Sequence, residues 1–394
     1  MSYTIKHGDY CMTPYLLTVF IISLFLGTIF TPATLNFCKR KKLYDIPNER
    51  KIHKKAIPRL GGLSFFPSMM IAFIFFLLAS SWNNQLDHTF NIWSASYLAG
   101  LLIIYTTGII DDLIGLTAKS KFIAQIIAAS LLPMTGLTIN SLYGLFGIYY
   151  IPYYAGVAFT IFAIVFICNA INLIDGIDGL AGSISLLALG GFLGYFVYYD
   201  VFRYTYTILA AGMIGALVAF LYFNLFGTAE KNTKIFMGDS GSLSLGYTLG
   251  FLAIKTAMDH PTIWFINRPE AFLYPLTLLF VPIADVVRVT LYRLFHGYPL
   301  FDADKNHIHH KLMRAGLTQH QALAVILLII IGIYAINYML YPTLSSTVIV
   351  GIDTLIYIIV NITVYLLLVI TLQLFFPIIK SYCHSFKLIF KLYI

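Results

Sequence analysis

Apolar residues run along this chain in long blocks, and polar residues are confined to the short gaps between the blocks. A helix needs about 20 apolar residues to cross a bilayer, and this criterion predicts about eleven membrane spans. They lie near residues 14–37, 60–80, 92–110, 121–135, 152–171, 179–199, 205–226, 241–258, 270–292, 321–341 and 347–376. The pattern predicts an all-α polytopic membrane protein whose residues 1–394 form a single membrane domain.

Composition and charge support this interpretation and predict an orientation. The chain is 59% hydrophobic and 11% charged, whereas a soluble domain has about 25% charged residues. Its net charge of +8 does not indicate nucleic acid, because Lys and Arg concentrate in alternate gaps, as cytosolic loops require. The N-terminus is therefore predicted outside and the C-terminus in the cytosol. The predicted cytosolic segments are 39–59, 111–121, 172–178, 227–240, 293–320 and a basic tail at 377–394.

Four polar clusters fall on this predicted cytosolic side. They are Asp111 with Asp112, then Asn172 with Asp175 and Asp178, then Asp239 in GDSGS, and finally His307, His309 and His310 in HIHH. Carboxylates at the edge of a bilayer are costly, so we expect them to serve chemistry. Because spans in a bundle bring such loops together, the clusters predict one shared active site.

The acidic clusters also have structural interpretations. Asp111 and Asp112 could be solvated loop acids, although the C-terminal end of a helix disfavours negative charge. In NAINLIDGIDGL the Asn and Gly residues can end a helix, which leaves Asn172 and Asp175, predicted on one helix face, unexplained. The GDSGS stretch could cap a helix, or its backbone N–H groups could bind phosphate while Asp239 holds a metal.

Other polar residues extend the picture. Arg59 and His53, in the first basic loop, suit a lipid phosphate, although such a loop can simply anchor the chain to anionic lipids. Asp285 and Arg288 in the ninth span can form an ion pair that is as readily structural as catalytic. The HIHH motif lacks the Cys or acid partners typical of zinc, so phosphate contact by imidazole is favoured.

Together these residues suit metal-assisted phosphoryl transfer, which asks the protein to position phosphates and neutralise charge. The hypothesis places Mg²⁺ or Mn²⁺ on Asp239 and a further acid. A second carboxylate near the lipid phosphate would accept a proton or orient the attacking oxygen.

At these motifs the chain resembles the polyprenyl-phosphate N-acetylhexosamine-1-phosphate transferases of glycosyltransferase family 4, which include the MraY-like and WecA-like enzymes. The resemblance runs from about Asp45 to Ala322. It rests on four ordered motifs, DDLIGLTAKSKFIAQ, NAINLIDGIDGLAG, FMGDSGSLSLG and DADKNHIHHKLMRAGLT. The HIHH form is similar to the WecA-like branch and argues against a muramoyl-pentapeptide substrate.

The resemblance implies a reaction at the cytosolic face of a bacterial inner membrane. A sugar 1-phosphate, with GlcNAc favoured, would pass from the UDP-sugar to undecaprenyl phosphate with release of UMP. That step starts lipid-linked glycan synthesis, such as that of O-antigen or a related envelope polysaccharide. Members of the family need Mg²⁺ or Mn²⁺ and are often homodimers.

The resemblance also implies roles for individual residues. By position these are Asp239 as metal ligand, Asp111 as activator of the lipid phosphate, Asp112 as support for metal or phosphate, Asn172, Asp175 and Asp178 along the nucleotide cleft, and His307, His309 and His310 against sugar or phosphate. Some relatives have a basic residue directly after the aspartate pair. This chain has Leu113 and Ile114 there, so Lys119 and Lys121 become the phosphate-binding candidates.

Several alternatives stay open at this level. The sugar could be another 2-acetamido sugar, and the lipid phosphate could attack directly or through a covalent aspartyl intermediate. A membrane aspartyl protease would use two intramembrane aspartates with Gly-x-Gly-Asp, but Phe236 stands where the first glycine should be. An ion-coupled transporter would carry its acids near the bilayer midplane, whereas these acids cluster on one predicted side.

Overall fold

The protein is a bundle of helices with a single short β-pair in the part of the chain that the computed structural model describes, residues 9–45, 56–82, 92–199, 205–258, 270–299 and 306–382. The helices are α1 (Asp9–Lys41), α2 (Phe65–Trp82), α3 (Ile92–Ile114), α4 (Ala118–Met134), α5 (Tyr153–Ile174), α6 (Leu180–Tyr199), α7 (Thr205–Phe226), α8 (Asp239–Ala257), α9 (Leu273–Leu278), α10 (Phe280–Phe295), α11 (Ile308–Arg314), α12 (Gln319–Leu340) and α13 (Ser346–Tyr382). The strands β1 (Tyr44–Asp45) and β2 (Ile57–Pro58) pair antiparallel.

Eight of the predicted spans are confirmed as helices long and apolar enough to cross a membrane. Within the described residues these are α1, α2, α3, α5, α6, α7, α12 and α13. The predicted fourth span is the 17-residue helix α4, the eighth is the less apolar α8, and the ninth is split into α9 and α10. The multi-pass all-α architecture is therefore confirmed, whereas the count of eleven and the orientation stay predictions.

The ninth predicted span breaks at Leu279, which has φ −110° and ψ 10°. Pro282 causes the break, because proline has no N–H to donate to the carbonyl of Leu278. The Tyr334 hydroxyl on α12 donates to that carbonyl instead, at 2.8 Å. A side chain of another helix therefore satisfies the carbonyl that the proline leaves free.

Helix α8 lies at the centre of the bundle, where every residue from Ser240 to Ala257 is buried. It packs against α3 and α5 and contains many small residues, which let neighbouring backbones approach closely. A Cβ on Gly108 of α3 would lie 2.5 Å from the Cα of Ser240. A Cβ on Gly62 would lie 2.1 Å from the backbone of Gly241. The start of α8 is therefore fixed by direct backbone contact.

Backbone hydrogen bonds tie the segment before α8 to the residues that follow β2. Phe236 donates its N–H to Pro58, and the N–H groups of Gly61 and Gly62 donate to Phe236 and Met237, all at 2.8 Å. These bonds carry the intervening Arg59 to the same end of the bundle as Asp239.

The loop between α4 and α5 closes on itself. The N–H of Ile151 donates to Asn140 at 2.9 Å, and that of Gly144 donates to Ile148 at 3.0 Å. This aromatic stretch therefore forms a hairpin-like turn. The exposed rings of Tyr149 and Tyr150 on it are typical of a membrane interface.

Replacing Gly62 with Ala should destabilise the protein by about 1–3 kcal/mol, because the added Cβ overlaps the backbone of Gly241. The matched control is Gly190→Ala in α6, where a Cβ meets nothing within 4 Å and alanine favours the helix. Thermal unfolding in detergent measures both variants. Equal melting temperatures would contradict the backbone contact.

Candidate active site

The predicted site residues gather around one cavity of about 890 Å³ at one end of the bundle. Among the described residues its lining includes seven of the predicted ones: Arg59, Asp112, Asn172, Asp175, Asp178, Asp239 and His310. The lining comes from the ends of α3, α5 and α7, the starts of α8 and α12, and the segments near β2 and α11. The prediction of one shared site from separate loops is thus supported by the geometry.

Lys121 joins two of the predicted acids. Its Nζ lies 2.8 Å from Asp239 Oδ2 and 3.2 Å from Asp111 Oδ2. The other oxygen of Asp111 accepts the N–H of Leu116 at 2.6 Å, which closes the turn after α3. Neither Asp111 nor Lys121 lines the cavity itself, and Lys121 connects Asp111 to Asp239 at the cavity wall.

Asp112 has a different structural role from Asp111, as expected because adjacent residues of a helix point about 100° apart. Its carboxylate is buried and accepts the N–H of Asp239 at 2.9 Å and the N–H of Ser240 at 3.0 Å. Asp112 thus caps α8 from another helix, where a negative charge also meets the favourable end of the helix dipole.

The cap corrects one expectation. The sequence suggested that the backbone N–H groups of GDSGS could bind a phosphate. The N–H groups of Asp239 and Ser240 donate to Asp112, and those of Gly241 and Ser242 donate to the carbonyl of Gly238. The start of α8 is therefore satisfied internally, and Asp112 acts by positioning Asp239.

Asn172 holds the second oxygen of Asp239. Its Nδ2 donates to Asp239 Oδ1 at 3.1 Å and to the Ser242 hydroxyl at 2.8 Å. Burial would raise the pKa of Asp239, but the hydrogen bond with Asp111 and the ammonium of Lys121 hold it below its ordinary value. Asp239 is therefore a fixed carboxylate at the cavity wall.

Asp175 is the one site acid for which the described residues provide no partner. It follows the last residue of α5, with φ −73° and ψ 54°, so the expectation that it shares a helix face with Asn172 is wrong. Both residues nevertheless line the cavity. Burial, followed by the charges of Asp239 and Asp178, raises the pKa of Asp175 to about 8. Within the described residues no hydrogen bond or ion pair reaches its carboxyl group.

Asp178 is paired where Asp175 is not. The Nζ of Lys234 lies 2.6 Å from Asp178 Oδ2, and both side chains line the cavity. At the next position the N–H of Gly179, at φ +74°, donates to Asn224 Oδ1 at 2.6 Å.

The three histidines are placed differently. His307 Nδ1 lies 2.7 Å from Asp285 Oδ2, away from the cavity lining. His309 is buried and packs against Gly176, and neither of its ring nitrogens has a hydrogen-bond partner among the described residues. Burial lowers its pKa to about 3, so the ring is neutral. His310 faces the cavity, and substrate contact by the motif is therefore expected from His310.

Arg59 lines the cavity with a half-buried side chain that has no ion pair with a described residue. His53, its predicted companion, lies outside the described residues. A cation without a carboxylate partner beside a polar cavity is suited to an anionic ligand.

The donor set fits a hard divalent cation, although no three His, Cys, Asp or Glu side chains converge as a ready-made centre in the described part of the chain. Asp111 and Asp239 both face one cation, the ammonium of Lys121. Mg²⁺ commonly uses one or two carboxylates and takes its other ligands from water and substrate phosphates. Asp239 with Asp111 would supply that pair.

Sequence reasoning did not predict how two residues, Lys234 and Asp285, organise the site. Lys234 was counted only as a loop charge, and nothing local in the sequence pairs it with Asp178. Asp285 was noticed as an intramembrane acid beside Arg288, but the structure shows that it also holds the histidine motif. The charge of Asp285 inside an apolar segment was the sequence signal that could have indicated this role.

Comparisons with known proteins agree with this geometry. The family model described as "Glycosyl transferase family 4" matches residues 94–257. A Bacillus subtilis protein named probable undecaprenyl-phosphate N-acetylglucosaminyl 1-phosphate transferase is 30% identical over 324 residues, covering 80% of this chain and 82% of the relative.

Two further relatives carry the name undecaprenyl-phosphate alpha-N-acetylglucosaminyl 1-phosphate transferase. The Yersinia pestis protein is 31% identical over 299 residues, or 74% of this chain and 76% of the relative. The Escherichia coli K12 protein is 29% identical over 322 residues, or 80% of this chain and 83% of the relative.

The pKa of Asp175 predicts a pH dependence of stability. The folded protein binds this proton more tightly than an ordinary carboxyl of pKa 3.8 does. The resulting stabilisation is complete below that value and is lost as the pH rises through about 8. Between about pH 5 and pH 8 the melting temperature of the wild type should therefore fall more steeply than that of Asp175→Asn. Parallel profiles would contradict the assignment.

Proposed function

The chain belongs to glycosyl transferase family 4, and we propose that it transfers N-acetylglucosamine 1-phosphate from UDP-N-acetylglucosamine to undecaprenyl phosphate. A phosphate oxygen of the lipid bonds to the β-phosphorus of the donor. The bond from that phosphorus to the bridging oxygen breaks, and UMP leaves with the oxygen. The family assignment removes the protease and transporter alternatives that the sequence left open.

The cavity is the observation that carries the proposal for this chain. Its volume of about 890 Å³ lies in the range of small-molecule sites, and carboxylates, amides and cations line it together. Phosphoryl transfer depends on such positioning and charge neutralisation more than on covalent chemistry by the protein. The names of the relatives support undecaprenyl phosphate as acceptor and N-acetylglucosamine as the sugar.

Cations at the cavity would bind the phosphates of both substrates. The guanidinium of Arg59 can bind phosphate oxygens in a bidentate manner and is free of carboxylate partners among the described residues. Lys121 pairs with Asp239 and adds positive charge beside the same wall. His310 would complete the contacts on the sugar or its phosphate.

Asp239 and Asp111 would hold Mg²⁺ or Mn²⁺, which when bound neutralises the charge of the diphosphate and of the leaving group. The protein prepares this position by fixing Asp239 from three sides, through Lys121, Asn172 and the cap at Asp112.

We assign proton transfer to Asp175. The family resemblance places activation of the lipid phosphate on Asp111, but both oxygens of Asp111 are bonded to Lys121 and Leu116. The carboxyl of Asp175 is unpartnered among the described residues and has a pKa of about 8. A base with a pKa near the working pH is effective at removing the proton of a phosphate monoester.

The proposal includes a cellular location and an orientation in the membrane. The chain would span the bacterial cytoplasmic membrane with the cavity open to the cytoplasm, where basic loops are retained. Its product would be the first lipid-linked intermediate of an envelope polysaccharide such as O-antigen.

A donor screen tests the reaction. Purified protein in detergent with undecaprenyl phosphate, Mg²⁺ and radiolabelled UDP-GlcNAc should form a lipid-linked sugar and release UMP, and a chelator should stop both. Asp239→Asn should lose turnover by at least about 100-fold while remaining folded, because a fixed charge at the phosphates is lost.

The control for that variant is Asp353→Asn, the same chemical change in a buried acid outside the cavity lining, which should retain turnover. UDP-GalNAc serves as the competing donor. Product from UDP-GalNAc alone would replace the sugar assignment, and normal turnover by Asp239→Asn would overturn the metal position.

Cysteine labelling tests the orientation. In a background without Cys11 and Cys383, Leu116→Cys and Asn232→Cys should react with a membrane-impermeant maleimide only in inside-out vesicles. The control is Tyr149→Cys, on the aromatic turn, which should react only from the other side. Labelling of Asn232→Cys from outside would reverse the proposed topology.

A further inference from the structure

Helix α13 has a polar stripe inside an apolar sequence. Asp353, Tyr357 and Asn361 are four residues apart, so they share one face of the helix. Polar side chains in membrane helices are costly and usually serve a purpose. Each one bonds a different helix. Asp353 accepts from Asn337 of α12 at 2.8 Å, Tyr357 donates to Asp285 of α10 at 2.9 Å, and Asn361 accepts from Lys311 of α11 at 3.3 Å.

The middle contact reaches the histidine motif. Asp285 is 1% exposed, and its Oδ2 lies 2.7 Å from His307 Nδ1. Its Oδ1 accepts the Tyr357 hydroxyl at 2.9 Å, the guanidinium of Arg288 at 2.8 Å and the N–H of Ile308 at 3.1 Å. Three donors share Oδ1 and His307 meets Oδ2, so both oxygens are bound and the orientation of the carboxylate is restrained from both sides.

Asp285 in turn fixes the start of α11. Ile308 is the first residue of that helix, and His307 immediately precedes it. Helix α11 carries His310, which lines the cavity, and His309, which packs on Gly176 beside Asp175. A small rotation of the Asp285 carboxylate would therefore move the histidines relative to the proposed base.

We infer that Tyr357 is a positioning residue for the transfer reaction, acting through Asp285 to hold His307 and the start of α11 so that His310 faces the cavity. The inference rests on the proposed function. Tyr357 is not among the cavity-lining residues, so its hydroxyl acts at a distance from substrate, by donating to Oδ1 of Asp285.

The test variant is Tyr357→Phe, which removes one hydroxyl and keeps the ring. Its matched control is Tyr334→Phe, which removes a hydroxyl that donates to the Leu278 carbonyl of the broken helix and does not bond α11. Tyr357→Phe should lower kcat per folded molecule about tenfold and leave KM for undecaprenyl phosphate within about twofold. Tyr334→Phe should keep kcat within about twofold of the wild type.

A double-mutant cycle asks whether the effect passes through Asp285. If it does, adding Tyr357→Phe to Asp285→Asn should lower kcat no further, because the residue it orients is already changed. The same tenfold loss in both backgrounds would overturn the inference. So would equal kcat values for Tyr357→Phe and Tyr334→Phe.

Hydrogen exchange separates failure of the inference from failure of the proposed function. Backbone amides of 308–314 should exchange faster in Tyr357→Phe than in Tyr334→Phe, whether or not any donor is turned over. Absence of transfer by the wild type would reject the reaction, and the exchange data would still decide the positioning role. Equal exchange in the two variants would overturn that role.

Discussion

Like charges crowded at one end of a membrane bundle are the constraint on which the rest of the structure depends. Five carboxylates, those of Asp111, Asp112, Asp175, Asp178 and Asp239, lie at or beside a single cavity. Ionised carboxylates away from bulk water need opposite charge or hydrogen bonds. Lysines serve three of them, the amide groups at the start of α8 serve the fourth, and Asp175 is left with a raised pKa. The uncompensated acid is the one best suited to move a proton.

The helices could be predicted from the sequence because each apolar block is long enough to need a membrane, and each gap carries the residues that end a helix. The length and apolarity of a block predict α8 and the α9–α10 pair less accurately. Helix α8 avoids lipid altogether, so packing against α3 and α5 decides its composition. The break at Leu279 follows from Pro282, yet only the structure shows that Tyr334 satisfies the freed carbonyl.

That most of the predicted residues meet at one cavity was also predictable, since acids and histidines recur in alternate gaps of the sequence. The division of labour among them was not. Whether a carboxylate caps a helix, as Asp112 does, or pairs with a lysine, as Asp178 does, depends on residues more than fifty positions away. Asp285 and His307 are closer in sequence, but they belong to different helical segments, so the sequence alone does not predict their contact.

The polarity of α8 has a consequence for how the protein is made. The translocation machinery selects membrane helices by the apolarity of each segment, and α8 begins with an acid, carries three serines in its first turns and ends near Lys255. Such a segment is held in the bundle by contacts with other helices and not by contact with lipid. Helices α3 and α5 must therefore be in the bilayer before α8 is retained there. Both emerge from the ribosome before α8 does. The order of synthesis thus provides this polar helix with its partners in time.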